Sequence, residues 1–310
     1  MRLVRIATRG SALALAQSGH VARTIEVALR CRTELVKIQT TGDRIQDRSL
    51  AAIGGKGLFI KEIEEALLDG RADVAVHSAK DLPPEQAAGL TLAAFPMRAD
   101  ARDALVGRTS GATVEALPRG SRIGTGSVRR ASQLLAYRPD LVIVPIRGNV
   151  DTRLRKLEDE DLAAVVLASA GLERLGLEER IDERIDEGLM LPAVGQGTLA
   201  LECRQGEALA DDLLAIDHSP TRISITAERA FLGVLSGDCH APIAGRAELL
   251  GDGRVKLRAR VLSPDGRKIV TAEASGSAGD ADALGRAAAQ EALARGALRL
   301  IEEAREGSKG

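Results

Sequence analysis

The sequence predicts an α/β protein of two similar lobes flanking a central cleft, followed by a small C-terminal α+β domain. Three observations carry this. Apolar strand-like runs alternate with amphipathic helix-like runs over the first hundred residues. The alternation restarts near residue 104, and after about 221 the texture changes to strands grouped before a helix. The boundaries expected are 1–97 for the first lobe, completed by 197–217, then 103–192 for the second and 221–310 for the last domain. At 310 residues the chain exceeds what a single core ordinarily supports.

Residues 3–8 read as a strand, followed by Arg9-Gly10-Ser11 and a helix over about 12–29 with Ser11 as N-cap. A strand over 34–40 leads to the glycine-rich Gly54-Gly55-Lys56-Gly57 and a helix beginning near Leu58 and Phe59. A buried-type strand over 73–76 ends at His77-Ser78-Ala79-Lys80-Asp81. In the second lobe a strand over 122–125 enters a helix at about 128–137, a strand over 141–146 ends at Arg147-Gly148-Asn149, and a strand over 164–168 ends at Ser169. This alternation indicates parallel sheets with helices on their faces. In open α/β sheets the ligand crevice lies beyond the carboxyl ends of the strands, where Arg9, Lys80, Asp81, Ser127, Arg129 and Arg147 all fall. The last domain reads as a helix over 224–235, strands near 243–249, 254–262 and 268–274, and one alanine-rich helix over 279–304.

Composition narrows the function classes. Net charge is −1, so no global basic field points to nucleic acid or an anionic membrane. Tyr137, Phe59, Phe95 and Phe231 are the whole aromatic set, too few for a base-stacking platform. The basic residues comprise 35 Arg and 8 Lys. Arg presents a planar fork that matches carboxylates bidentately, although drift in composition also produces such a skew. Cys31, Cys203 and Cys239 form no CxxC and are odd in number, which points to a reducing compartment. The N-terminal residues lack a signal-peptide pattern and no apolar run approaches a membrane span, so a cytoplasmic location is expected. No metal site is expected.

Four constellations carry chemistry. Thr125-Gly126-Ser127-Val128-Arg129-Arg130 puts two guanidiniums in the first turn of a helix, against the macrodipole. A bound anion would resolve that conflict, and a solvated helix start is the even alternative. Arg147-Gly148-Asn149 with Arg153 repeats the theme, where an exposed basic helix paired with Asp151 and Glu158 is the simpler reading. His77, Ser78, Lys80 and Asp81 gather imidazole, hydroxyl, ammonium and carboxylate. A carboxylate among cations stays ionised and suits a developing cation, while a salt-bridged loop fits equally well. Cys239 lies between Asp238 and His240; on chemistry alone it reads as a small buried hydrophobe. Lys56 in its glycine loop lacks the rest of a phosphate-binding motif.

Taken together, the segments resemble the porphobilinogen deaminase (hydroxymethylbilane synthase) family. The resemblance rests on Ile6-Ala-Thr-Arg-Gly-Ser11, Gly54-Gly-Lys-Gly-Leu-Phe59, Asp73-Val-Ala-Val-His-Ser-Ala-Lys-Asp81, Gly124-Thr-Gly-Ser-Val-Arg-Arg130 and Arg147-Gly-Asn149. It continues through Ala170-Gly-Leu-Glu-Arg-Leu-Gly176, Leu191-Pro-Ala-Val-Gly-Gln-Gly197, Thr226-Ala-Glu-Arg229 and Asp238-Cys-His-Ala-Pro-Ile243. It implies a transferase of tetrapyrrole (haem-type) biosynthesis that condenses four porphobilinogen units, with loss of ammonia, on a dipyrromethane cofactor. The cofactor would be joined by a thioether to Cys239, which reverses the chemistry-only reading of that residue. Asp81 would stabilise the cationic azafulvene left when ammonia departs. Ser78, Lys80, Thr125, Ser127, Arg129 and Arg130 would hold the cofactor. Arg9, Ser11, Gln17, Arg147, Arg153, Arg174 and Gln196 would bind substrate, with Lys56 and Phe59 in an active-site loop. The family resemblance also implies a monomer.

Gly10, Ala79, Gly126, Asp238 and His240 depart from the commoner family pattern, and Gly126 is expected to cost one hydroxyl contact to the cofactor. The lobes expected here are periplasmic-binding-protein-like, so a solute-binding protein is the rival reading. Binding alone gives no role to a third domain offering a cysteine.

Overall fold

The computed structural model describes residues 2–41, 60–235 and 241–307. The chain runs β1 (Leu3–Thr8), α1 (Ala12–Leu29), β2 (Arg32–Lys37), α2 (Lys61–Leu68), β3 (Val74–Ser78), β4 (Leu90–Ala94), β5 (Asp103–Gly107) and β6 (Arg122–Gly124). It continues with α3 (Val128–Tyr137), β7 (Val142–Val144), α4 (Val150–Asp159), β8 (Ala164–Ala168), α5 (Ser169–Arg174) and β9 (Glu183–Arg184). Then follow β10 (Leu199–Arg204), α6 (Ala208–Asp212), α7 (Ser219–Val234), β11 (Ile243–Leu249), β12 (Arg254–Leu262), β13 (Ile269–Ser277), α8 (Ala281–Ala294) and α9 (Ala297–Gly307).

Two compact units result. The first holds Met1–Ala99 and Thr198–Arg222; the second holds Asp100–Gly197 and Ile223–Gly310. In the first, the sheet order is β2-β1-β3-β10-β4. Alternation along its strands divides the core: Val4, Ile6, Val74 and Val76 pack under α1, and Ala7 and Ala75 pack under α2 through Ile63, Ala66 and Leu67. The α1 helix begins where Ser11 accepts from the Ala14 amide at 3.3 Å.

The second unit contains two sheets. One has the order β7-β6-β8-β5-β9, with α3 packed on one face through Leu134 and α4 on the other through Leu154 and Leu157. The other is the antiparallel β11-β12-β13, covered on its apolar face by α7, α8 and α9 around the fully buried Phe231. The two parts share polar contacts: the Ser132 hydroxyl of α3 donates to the Pro264 carbonyl at 3.3 Å, and the Gly245 amide donates to Pro192 O at 3.0 Å.

Two expectations change. The five-stranded sheets are mixed, because β10 runs antiparallel to β3 and β5 antiparallel to β8. These strands enter their sheets from distant sequence, so local alternation does not reveal their direction. The alanine-rich segment forms two helices, broken at Gly296, whose φ of 94° lies outside the helical region. Among the described residues, no helix is long and apolar enough to cross a membrane.

Candidate active site

In the first unit, the parallel pairing of β1 with β3 brings their carboxyl ends side by side. Thr8 and Arg9 leave β1 there, and Ser11 starts α1. Ser78 ends β3, and a single 3-10 turn over Ala79–Asp81 follows. Its position is set by Ala79 N donating to Thr198 O at 3.0 Å. Gln17, buried on the inner face of α1, donates its amide to the Ser78 hydroxyl at 3.0 Å. The turn leaves Lys80 half-buried and Asp81 exposed. Of the residues expected from this unit, the six that are described, Arg9, Ser11, Gln17, Ser78, Lys80 and Asp81, therefore cluster at one edge of its sheet.

His77 does not join them. Successive strand residues face opposite ways, so His77 turns toward α2 while Ser78 turns toward α1. His77 Nε2 lies 3.1 Å from Glu202 Oε2, and both side chains are buried. Glu64 of α2 stands near this pair; burial pushes its carboxyl above the ordinary range, Glu202 adds to the shift and His77 opposes it.

In the second unit, β6 delivers Thr125, Gly126 and Ser127 to the start of α3. Ser127 N donates to the Thr125 hydroxyl at 3.2 Å, and Ser127 Oγ accepts from the Arg130 amide at 3.5 Å. A Cβ on Gly126 would meet Ile146 O at 2.5 Å. Glycine at this position thus lets the end of the β7 segment close on the helix start, a structural role beyond the lost hydroxyl.

The conflict between two guanidiniums and the helix dipole is resolved by the protein's own anion. Asp103, with no exposed surface, faces Arg129 Nη2 at 2.8 Å and accepts from Arg130 Nε at 2.8 Å. Arg130 Nη2 lies 2.7 Å from the same oxygen, and the Gln196 amide donates to it at 2.9 Å. Burial alone would raise the Asp103 pKa; Arg129, Arg130 and Gln196 instead hold it below the ordinary carboxylate range. The far ends of the forks are also engaged, Arg129 with Leu191 O at 2.6 Å and Arg130 with Val166 O at 3.0 Å. Arg129, Arg130 and Gln196, expected to contact primer or substrate, are thus also joined to one another by a buried network through Asp103.

The remaining arginines are placed differently. Asn149 caps α4 by accepting from Thr152 N at 3.0 Å, and Gly148, at a φ of 111°, turns its carbonyl to accept from Arg153 Nε at 2.8 Å. Burial lowers the Arg153 guanidinium to about 10, and the like charges of Arg130 and Arg147 add to the shift. The simpler reading, Arg153 paired with Asp151 and Glu158, is not what the geometry gives. Arg174, at the end of α5, donates to Gly197 O at 2.7 Å, and burial lowers it to about 10 against the opposing effect of Glu173. Arg147 is exposed. A polycarboxylate would relieve the crowding of Arg130, Arg147 and Arg153, so this donor set fits the acetate and propionate groups of a dipyrromethane.

Sequence reasoning missed Asp103 and the buried Glu202, which no local motif marks. It also missed the part played by Glu228, although that residue lies inside a quoted segment. Glu228 is fully buried and accepts from Gly195 N at 2.7 Å and Ala247 N at 2.8 Å, tying the segment before Gln196 to the C-terminal sheet. Lys56, Phe59 and Cys239 lie outside the described residues, as do Asp238 and His240. No group of three or more His, Cys, Asp or Glu side chains is placed to hold a metal among the described residues.

Comparison with known proteins agrees over almost the whole chain. The family described as "Porphobilinogen deaminase, dipyromethane cofactor binding domain" matches residues 4–212, and "Porphobilinogen deaminase, C-terminal domain" matches 222–294. A porphobilinogen deaminase from Nitratidesulfovibrio vulgaris is 48% identical over 306 residues, covering 98% of this chain and 97% of its own. One from Sorangium cellulosum is 53% identical over 270 residues, covering 86% and 89%. Among solved structures, a periplasmic substrate-binding protein of an ABC transporter from Coxiella burnetii aligns with 73% of this chain and 96% of its own. That alignment has a TM-score of 0.43 and 14% identity. On the two domain matches and the near-complete coverage of these relatives, the chain belongs to the porphobilinogen deaminase family.

Proposed function

We propose that this protein is a transferase that joins four porphobilinogen units head to tail into the linear tetrapyrrole hydroxymethylbilane. In each addition the C–N bond of the incoming aminomethyl group breaks and ammonia leaves. A C–C bond then forms to the free pyrrole α-carbon of the growing chain, whose α-proton is lost. The dipyrromethane primer, held by a thioether from Cys239, supplies the first such α-carbon.

The observation that carries this reading is the set of arginines at the ligand edge of the second unit. Arg147, Arg153 and Arg174 take the acetates and propionates of primer and substrate, and Arg9 does so in the first unit. Arg129 and Arg130, with Thr125 and Ser127 at the same helix start, support the primer. In the first unit, Ser78 and Lys80 also support the primer, Ser11 and Gln17 line the substrate path, and Asp81 faces the reacting pyrrole. Departure of ammonia leaves a cation on the substrate, and the Asp81 side chain lowers its energy and holds pyrrole N–H groups. This is a preorganised charge aimed where charge develops. The family resemblance assigns Lys56 and Phe59 to the active-site loop. Cys31 and Cys203 are free thiols, which supports a reducing, cytoplasmic location, and we read the protein as a monomer.

Intact-mass measurement tests the reading. Wild-type protein should carry a dipyrrole adduct that Cys239→Ser lacks. A fully active, unmodified wild type would sink it.

A further inference from the structure

The antiparallel insertion of β5 has a functional consequence. Asp103 pairs with Ala168 across β5 and β8, so the first residue of β5 lies beside the last residue of β8. A parallel strand would put its first residue at the opposite edge. Here the chain direction delivers a buried carboxylate to the edge where α3 starts and the arginines gather. There it meets the Arg129 and Arg130 forks from one side, while Leu191 O and Val166 O hold the forks from others. Each guanidinium has five N–H donors in one plane, so engaging some of them at fixed points aims the rest.

We propose that Asp103 is a positioning residue for primer assembly. By fixing the two forks, it directs their remaining donors at the primer's carboxylates, and it leaves this arginine pair with one surplus positive charge to meet them. Gln196, which donates to Asp103 at 2.9 Å and to Ala101 O at 2.7 Å, holds the carboxylate from the other side. The inference rests on the proposed function, because the ligand it positions for is the dipyrromethane.

The test uses full-length Asp103→Asn and Asp103→Glu beside wild type. Each is produced in cells that make no porphobilinogen and then incubated with it, and the rate of adduct formation is followed by intact mass. Asp103→Asn removes the charge and is expected to lower the melting temperature and slow loading at least tenfold. Asp103→Glu keeps the charge but shifts the forks by one methylene. It is expected to retain folding and still load at least tenfold more slowly, with a raised KM for porphobilinogen in the fraction that does load. Ile185→Ala, a core change in the same unit, supplies a destabilised protein that loads at the wild-type rate. Loading of folded Asp103→Glu at the wild-type rate would overturn the proposal and leave Asp103 a core ion-pair residue. If Asp103→Asn fails to fold, the glutamate variant decides alone. Absence of an adduct on wild type is a different failure, and removes the proposed function itself.

Discussion

The two five-stranded sheets share one plan and use it differently. Each has three parallel strands, then an antiparallel fourth and a fifth, and each antiparallel strand carries one buried carboxylate: Glu202 on β10 and Asp103 on β5. Glu202 pairs across from Ala75, three residues below the strand end, whereas Asp103 is the first residue of its strand. Their partners differ accordingly. Glu202 meets His77, an imidazole that can be neutral; Asp103 meets two guanidiniums that cannot. A carboxylate below the edge closes a core, and one at the edge can set the geometry of groups that meet a ligand.

The sharpest test of this division concerns the carboxylate that belongs to neither core. Asp81 is exposed on its 3-10 turn, so Asp81→Asn should leave the melting temperature within a degree or two of wild type. Turnover should fall by roughly 100- to 1,000-fold, the usual effect of removing one preorganised charge. Steady-state kinetics beside a thermal melt checks both halves. A large stability loss would mean that Asp81 belongs with the buried pair after all.

Next in size is the contrast between the two buried carboxylates. Asp103→Asn leaves two desolvated guanidiniums without a counter-charge and should cost about 3–5 kcal/mol in urea unfolding. Glu202→Gln leaves the His77 ring facing an amide that can still hydrogen-bond, and should cost only about 1–3 kcal/mol. Equal losses would erase the distinction between the sheets. The Asp103 contribution also has a pH signature. Its folded pKa is lowered, so its stabilisation is present above the unfolded carboxylate value and is lost as pH falls through the folded one. Acid unfolding of Asp103→Asn should therefore be shallower than that of wild type.

What could be read in advance follows the range of the interactions. Ser11 caps its helix as its position suggests, because a cap and the amide that donates to it lie three residues apart. The arginine pair at the start of α3 announced a missing anion, but the sequence could not say whose. Asp103 lies 27 positions from Arg130 and is flanked by residues that read as an ordinary strand. His77 was misplaced for a simpler reason. A run of five polar or small residues suggests one cluster, and the two-residue period of a strand sends alternate members to opposite faces. The split at Gly296 was likewise hidden, since alanine on both sides favours helix and only the backbone conformation marks the break.

A smaller effect concerns Glu64 beside the His77–Glu202 pair. Its folded pKa is raised, so relative to the unfolded chain the fold favours the protonated acid. That advantage is full below the unfolded value and is lost as pH rises through the folded one. Glu64→Gln should therefore be more stable than wild type at neutral pH, by less than about 1 kcal/mol given the side chain's partial exposure. The difference should vanish below about pH 4. A gain that persists in acid would assign the effect to packing rather than to charge.

The smallest expected signal is a thiol count, and it separates the faces of β10. Cys203 follows Glu202 and points the other way, into the apolar core under α1 with Cys31. Burial pushes the Cys203 thiol up to about 11 and raises Cys31 as well. Neither thiolate is available at neutral pH, and neither sulfur is accessible. Native protein with its cofactor attached should give no reaction with a thiol reagent, because under the proposed function Cys239 is then a thioether. Denatured protein should give two equivalents. Three equivalents after denaturation would show Cys239 unmodified, and rapid native labelling of Cys203 would show that the α1 face of the sheet opens as readily as the ligand edge.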